Sequence, residues 1–211
     1  MTNIALVILD TLRYDAFEEY FEWLPGTRYS HAFSPSHYTI PAHGGMFTGR
    51  YPSEVGTHAK SESLDTTDSV LAEVLSEAGY RTRAFSSNTL LSPWNNWDRG
   101  FDQFHLGWRV RAASSQTFNW NKKLVKLSDK PKLVRYLLTL LQCITSDNKV
   151  FSSLKIGWYL KQANHDGAPE VLKFVSNTGF NDNEFLFINL MEAHLPYNPP
   201  PTYQSVKRDV D

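Results

Sequence analysis

Asp10 follows directly on an apolar, β-rich run, Ile4-Ala5-Leu6-Val7-Ile8-Leu9, and His194 lies just past a second, Phe185-Leu186-Phe187-Ile188-Asn189-Leu190, which runs into Met191-Glu192-Ala193. In open parallel sheets, ligands bind beyond the carboxyl ends of the strands, so both side chains stand where a site would form. A carboxylate there is poised to hold a hard or borderline cation. Its simpler role is to cap the Thr11-Leu12 turn. Between the two runs lies a stretch dense in hydroxyl and imidazole groups, Ser34 to Pro52 (SPSHYTIPAHGGMFTGRYP), continuing through Ser53 to His58. Residues 27–60 read as one long irregular segment, which is unusual inside a compact domain unless it is functional. The single cysteine, Cys143, rules out a disulfide framework or a cysteine-based zinc site.

These groups need elements to position them. The unbroken apolar run Ile4 to Leu9 predicts a strand buried on both faces, as in the middle of a parallel sheet. A short helix is expected around Ala16 to Trp23, stopped by Pro25-Gly26. Asp68 to Ala78 predicts a helix with Asp68 as cap and Val70, Leu71, Val74, Leu75 and Ala78 on one face. Tyr80 to Ser86 then reads as a strand, so strand, helix and strand follow in βαβ order. Asn95 to Phe104 reads as loop. From Leu124 to Ile144 two helical pieces break at Pro131, and the apolar run Tyr136 to Leu141 is short enough to favour a core helix over a membrane segment. Pro169 to Ser176 is a further helix with proline in its first turn. The expected fold is α/β, a mostly parallel central sheet flanked by helices, in one domain over residues 1–211 with a helical insertion around 107–166.

Composition narrows the function. Of 211 residues 41% are hydrophobic and 20% charged, which fits a globular chain. The net charge of −1 gives no global pull toward nucleic acid or anionic lipid. No reader motif or basic stripe points to nucleic acid. Met1-Thr2-Asn3 leads straight into the first strand with no basic n-region, so a cytoplasmic location without membrane insertion is expected.

The segment Ser34 to Pro52 resembles the nucleophile element of the sulfatase group of the alkaline phosphatase superfamily, C/S-x-P-x-R followed by T-G-R-x-P. Thr39 falls on the nucleophile, Pro41 on the motif proline, His43 on the arginine, and Thr48-Gly49-Arg50 with Pro52 on the closing block. The turn Asp10-Thr11-Leu12-Arg13-Tyr14-Asp15 resembles the first strand's metal-binding turn. Leu71 to Thr82, Arg99-Gly100-Phe101-Asp102 and Phe185 to Tyr197 resemble later units, the last with a histidine, His194, facing substrate. The resemblance implies an alkaline-phosphatase-like fold and a metal-dependent hydrolase of sulfate or phosphate esters. It places metal on Asp10 and Thr39, with Ca²⁺, Zn²⁺ or Mn²⁺ as the cofactor. Thr39 becomes the nucleophile, and His43 and His194 contact the anion or its leaving group. The expected substrate is a small-molecule or glycan ester.

Three departures qualify that expectation. Sulfatases convert Cys or Ser to formylglycine, whereas threonine resembles relatives whose hydroxyl attacks phosphorus directly; Ser34 and Ser36 are out of register. Transfer of a phosphoryl or phosphoglycerol group is therefore the alternative to hydrolysis. His43 lacks the permanent charge and donor fork of arginine. His58 resembles a histidine that follows the closing block but also suits a plain turn, Arg50 reads as a loop brace, and His31, His37, His105 and His165 carry no pattern. Finally, the family's Asp-His-Gly-type metal motif follows the segment matching His194, and no such motif occurs before Asp211; His165-Asp166-Gly167 lies too early and reads as loop. The expectation is a chain truncated at its C-terminal end. It would be a fragment of an active enzyme, a non-catalytic remnant, or a domain whose missing strands a partner chain supplies.

Overall fold

A computed structural model describes residues 2–113, 118, 120–146, 150, 151, 153, 154, 157, 158 and 165–194. Its centre is a four-stranded sheet in the order β1-β4-β2-β3. The strands are β1 (Ile4–Leu9), β2 (Arg81–Ser86), β3 (Gln103–Leu106) and β4 (Glu184–Leu190). All pairings are parallel, with Leu9 opposite Leu190 and Ser86 opposite Asn189. This is the α/β class and parallel sheet expected from the apolar runs.

β4 and β2 are the inner strands, β4 buried along all but its last residue, and among the described residues β1 is an edge strand with Val7 49% exposed. The expectation that Ile4 to Leu9 lies mid-sheet is corrected. An unbroken apolar run marks a strand of a parallel sheet, but pairing partners decide which strand is central, and β4 has partners on both sides. β3 is a second correction, since Gln103 and Phe104 fall in the stretch read as loop. The strand is short, and Ala84↔Phe104 pairing against β2 defines it.

Period-two alternation divides the sheet into two faces. On one, Phe185, Phe187 and Ala84 pack with Ile40, Phe47, Leu64, Val70, Ala72 and Trp97, and Leu6 and Ile8 add to this cluster. On the other, Leu186, Ile188 and Phe85 pack with Val171, Phe174 and Val175. The first cover comes from α2 (Thr39–Thr48), α3 (Pro52–Val55) and α4 (Leu71–Glu77). The second comes from the helix Ala168–Asn177, α8 here, with proline in its first turn as expected. A short helix α1 (Tyr14–Tyr20) follows β1.

The segment read as irregular, residues 27–60, holds α2 and α3, a third correction. Pro41-Ala42-His43-Gly44-Gly45 looks like loop because glycine weakens helices. Packing overrides that: a Cβ on Gly45 would sit 2.9 Å from Pro35 Cγ and 3.1 Å from the Arg50 carbonyl oxygen. Only glycine lets this helix lie so close. α4 is one turn shorter than read, because Asp68 does not cap it; Glu73 Oε2 instead accepts the Val70 N–H at 3.0 Å. Arg99 clamps this start, donating to both Glu73 carboxylate oxygens at 3.0 Å and to the Thr66 and Asp68 carbonyls.

Between β3 and α8 the described residues form α5 (Trp108–Ala113), α6 (Trp120–Lys126) and α7 (Lys132–Ile144), with Pro131 capping α7 where the break was expected. The core-helix expectation for Tyr136 to Leu141 is overturned: α7 buries Thr139 and Cys143 and exposes its leucines. Periodicity shows that a stripe exists but not which way it faces.

Candidate active site

Asp10, Asn88 and Asn189 continue three adjacent strands past or at their carboxyl ends, all on one face. The parity is set by the core: Leu6, Ile8 and Asp10 alternate on β1, Phe185, Phe187 and Asn189 on β4, and Thr82, Ala84, Ser86 and Asn88 along β2. The face that is apolar in the core thus becomes polar at its end. Asp10 N–H bonds the Leu190 carbonyl at 2.9 Å, and Ser87 N–H bonds the Asn189 carbonyl at 3.1 Å, so the backbone ladder fixes all three.

The side chains form one connected group. Asn88 Nδ2 donates to Asp10 Oδ2 at 2.8 Å, and Asn189 Nδ2 donates to the same oxygen at 3.4 Å. The other proton of Asn189 Nδ2 faces His43 Nε2 at 3.4 Å. His43 Nδ1 lies 2.8 Å from the Thr39 carbonyl oxygen. A carbonyl only accepts, so Nδ1 carries the proton and Nε2 is the acceptor. Burial pushes the His43 pKa below its ordinary 6.5, only partly offset by the Thr39 carbonyl and the Asp10 charge. The ring is neutral at pH 7, wedged edge-on against Trp97 and Phe187.

Above this group opens a cavity of about 580 Å³, lined by Asp10, Thr11, Thr39, Lys60, Glu62 and His194 among others. Thr39 is the first residue of α2, so its hydroxyl stands at the positive end of a ten-residue helix. The unpaired first-turn N–H groups there favour an anion. His194 closes another wall, just beyond β4. Thr11 links the walls: its Oγ1 donates to the Ala193 carbonyl at 3.0 Å while its backbone holds φ +59°. A β-branched residue in that left-handed region costs on the order of 1–3 kcal/mol. Such strain persists where the surroundings fix the chain, here between the Asp10 turn and the His194 loop.

The structure therefore brings Asp10, Thr39 and His194 to one cavity and sets His43 behind it, 3% exposed and outside the lining. Lys60 is a cation of the lining that carried no motif. His37 also lines the cavity, whereas His58 lies outside the lining, its Nδ1 accepting the Lys60 N–H at 3.1 Å in a turn. Arg50 reaches Asp68 at 3.5 Å, bracing the loop as expected. Sequence reading missed Asn88, Asn189 and Lys60. Of these, Asn189 had a signal, as the one polar residue in the run Phe185 to Leu190 and at the parity of Phe185 and Phe187.

The donor set can be tested against a divalent cation. Asp10 is 7% exposed, its Oδ2 is held by amides, and no Lys or Arg pairs with it among the described residues. A buried carboxylate without a counter-charge is costly, and a cation held by Asp10 would relieve that cost. Among the described residues no group of three or more His, Cys, Asp or Glu forms a complete site. Asp10 and Thr39 line one cavity and are the residues that could contribute to a cation site there. Residues 195–211, with Pro196 and Tyr197, lie outside the described residues.

No curated protein matches the chain. The sulfatase family model matches residues 2–211. On that match, spanning nearly its whole length, the chain belongs to the sulfatase family.

Proposed function

We propose that this chain carries part of a metal-dependent site that cleaves sulfate or phosphate esters, with Thr39 as nucleophile. The observation that carries the reading is the pairing, in one cavity, of a buried carboxylate lacking a cationic partner with a hydroxyl at a helix N-terminus.

The residues divide the work as follows. Lys60 attracts the anionic ester, and the first turn of α2 stabilises its oxygens electrostatically. Asp10, aligned by Asn88 and Asn189, holds the cation. When bound, a divalent cation supplies charge for the ester oxygens and lowers the pKa of the Thr39 hydroxyl. Thr39 Oγ1 then bonds to sulfur or phosphorus as the ester oxygen leaves, and the Thr39 proton ends on the departing alcohol. His194 contacts the anion or the leaving oxygen from the facing wall. His43 reaches none of these atoms; it is a positioning residue, holding the Thr39 carbonyl and Asn189. Water attacking the Thr39 adduct completes hydrolysis; an acceptor alcohol in its place makes the reaction a transfer.

The test is turnover of an aryl sulfate and an aryl phosphodiester with Ca²⁺, Mn²⁺ or Zn²⁺, together with mass spectrometry of the Thr39 peptide. The reading expects a sulfo or phosphoryl adduct on Thr39 and loss of turnover by a factor on the order of 10⁴ or more in Thr39→Ala. Turnover retained in Thr39→Ala would remove Thr39 from the mechanism.

A further inference from the structure

Helix α7 breaks two local rules at once. Leu133, Leu137, Leu141 and Ile144 recur at helical spacing on one side, and each is more than half exposed. On the opposite side Thr139 and Cys143 are fully buried, Cys143 within a cluster with Phe118 and Trp120. The helix is docked by its polar side and presents its apolar stripe outward. Its charge is also misplaced for an isolated helix: the first turn holds no acid, and Lys132 stands at its positive end. Lys126 and Lys130 precede it and are exposed, Arg135 follows one turn in, and Asp129 is the sole acid between Lys123 and Arg135. The chain as a whole carries a net charge of −1, so this is a local concentration of positive charge.

Either misfit alone has many remedies. A single occupant resolving both must bring negative charge to the start of α7 and an apolar medium to its length. Among the described residues no helix is long and apolar enough to cross a membrane, so the stripe meets that medium lying flat. We infer that α7 docks the protein on an anionic lipid surface, leucines in the acyl boundary and lysines among the headgroups. Neighbouring exposed apolar residues, Val125 on α6 and Phe151 and Trp158 beyond α7, add apolar area in the same stretch of chain. This inference is independent of the ester-cleaving site.

The experiment mixes the full chain with sedimentable vesicles of phosphatidylcholine alone, or of phosphatidylcholine with phosphatidylglycerol. The protein is expected to pellet with the anionic vesicles, remain in solution with the neutral ones, and be released as salt rises. Leu137→Ser with Leu141→Ser lowers the affinity at least about tenfold while leaving the melting temperature unchanged, because both side chains are already exposed. Lys126→Gln with Lys132→Gln has an effect of about the same size. Absence of binding to anionic vesicles, or binding indifferent to both pairs of substitutions, overturns the inference. So does a dimer in sedimentation velocity that the leucine substitutions dissolve without any vesicle binding, which would give the face to a second copy of the chain.

Discussion

Two carboxylates are buried at opposite ends of the same sheet, and they are compensated in different ways. Glu184, 2% exposed at the amino end of β4, accepts from Arg83 Nη1 at 2.8 Å, and the two side chains close a pair that solvent barely reaches. Asp10, 7% exposed beyond the carboxyl end of β1, receives amide protons from Asn88 and Asn189. The first is an ion pair of opposite charges within the sheet. The second has amide hydrogen bonds on one oxygen and lines a cavity. Burial of charge alone does not mark a site; the proposed site rests on burial of charge with neutral partners in a cavity that Thr39 also lines.

The comparison can be broken most severely at the amino end. Arg83→Met leaves Glu184 buried and unpaired and is expected to cost about 3–5 kcal/mol, read by urea unfolding. A cost near zero would show the pair is no tighter than a surface bridge. At the carboxyl end, Asn189→Leu removes the amide that joins Asp10 to His43, and a loss of about 1–3 kcal/mol is expected, with a parallel fall in turnover.

The imidazole gives a pH signature. Because burial lowers the His43 pKa, the folded ring stays neutral while the unfolded ring takes a proton below about pH 6.5. The unfolded state therefore binds more protons in that window. This contribution to stability is complete above about pH 6.5 and is lost as pH falls toward the folded value. Melting temperatures between about pH 7 and pH 5 should decline less steeply in His43→Gln than in the parent. Identical slopes would mean that His43 titrates normally. The smallest effect is expected from Asp10→Asn, which removes an uncompensated buried charge and should raise stability by about 1 kcal/mol or less, read by urea unfolding.

Much of this frame was legible in the sequence, and what was not follows from long-range packing. Apolar runs located β1 and β4, and Pro131 located the break before α7, because those signals are local, whereas the cap read at Asp68 falls instead at Val70. That β1 is an edge strand could not be read, since pairing is decided by residues some 180 positions away, as in Leu9↔Leu190. α2 was hidden because Gly44 and Gly45 look like loop until Thr57 and Pro35 are seen against them. In the site, Asp10 and Thr39 stood out by position and motif. Lys60 did not, since only the folded loop turns it toward the cavity. The stripe on α7 was visible as a period, yet the side that packs was set by Thr139 and Cys143 rather than by the leucines.

The most direct test of the central claim is a Mn²⁺ titration of this chain, followed by the electron paramagnetic resonance signal of the free ion, for the parent and for Asp10→Asn. The account predicts weak, saturable binding by the parent, as befits one side of a site, and its disappearance in Asp10→Asn. Indistinguishable isotherms for the two proteins would contradict it, and would leave Asp10 as nothing more than the cap of its own turn.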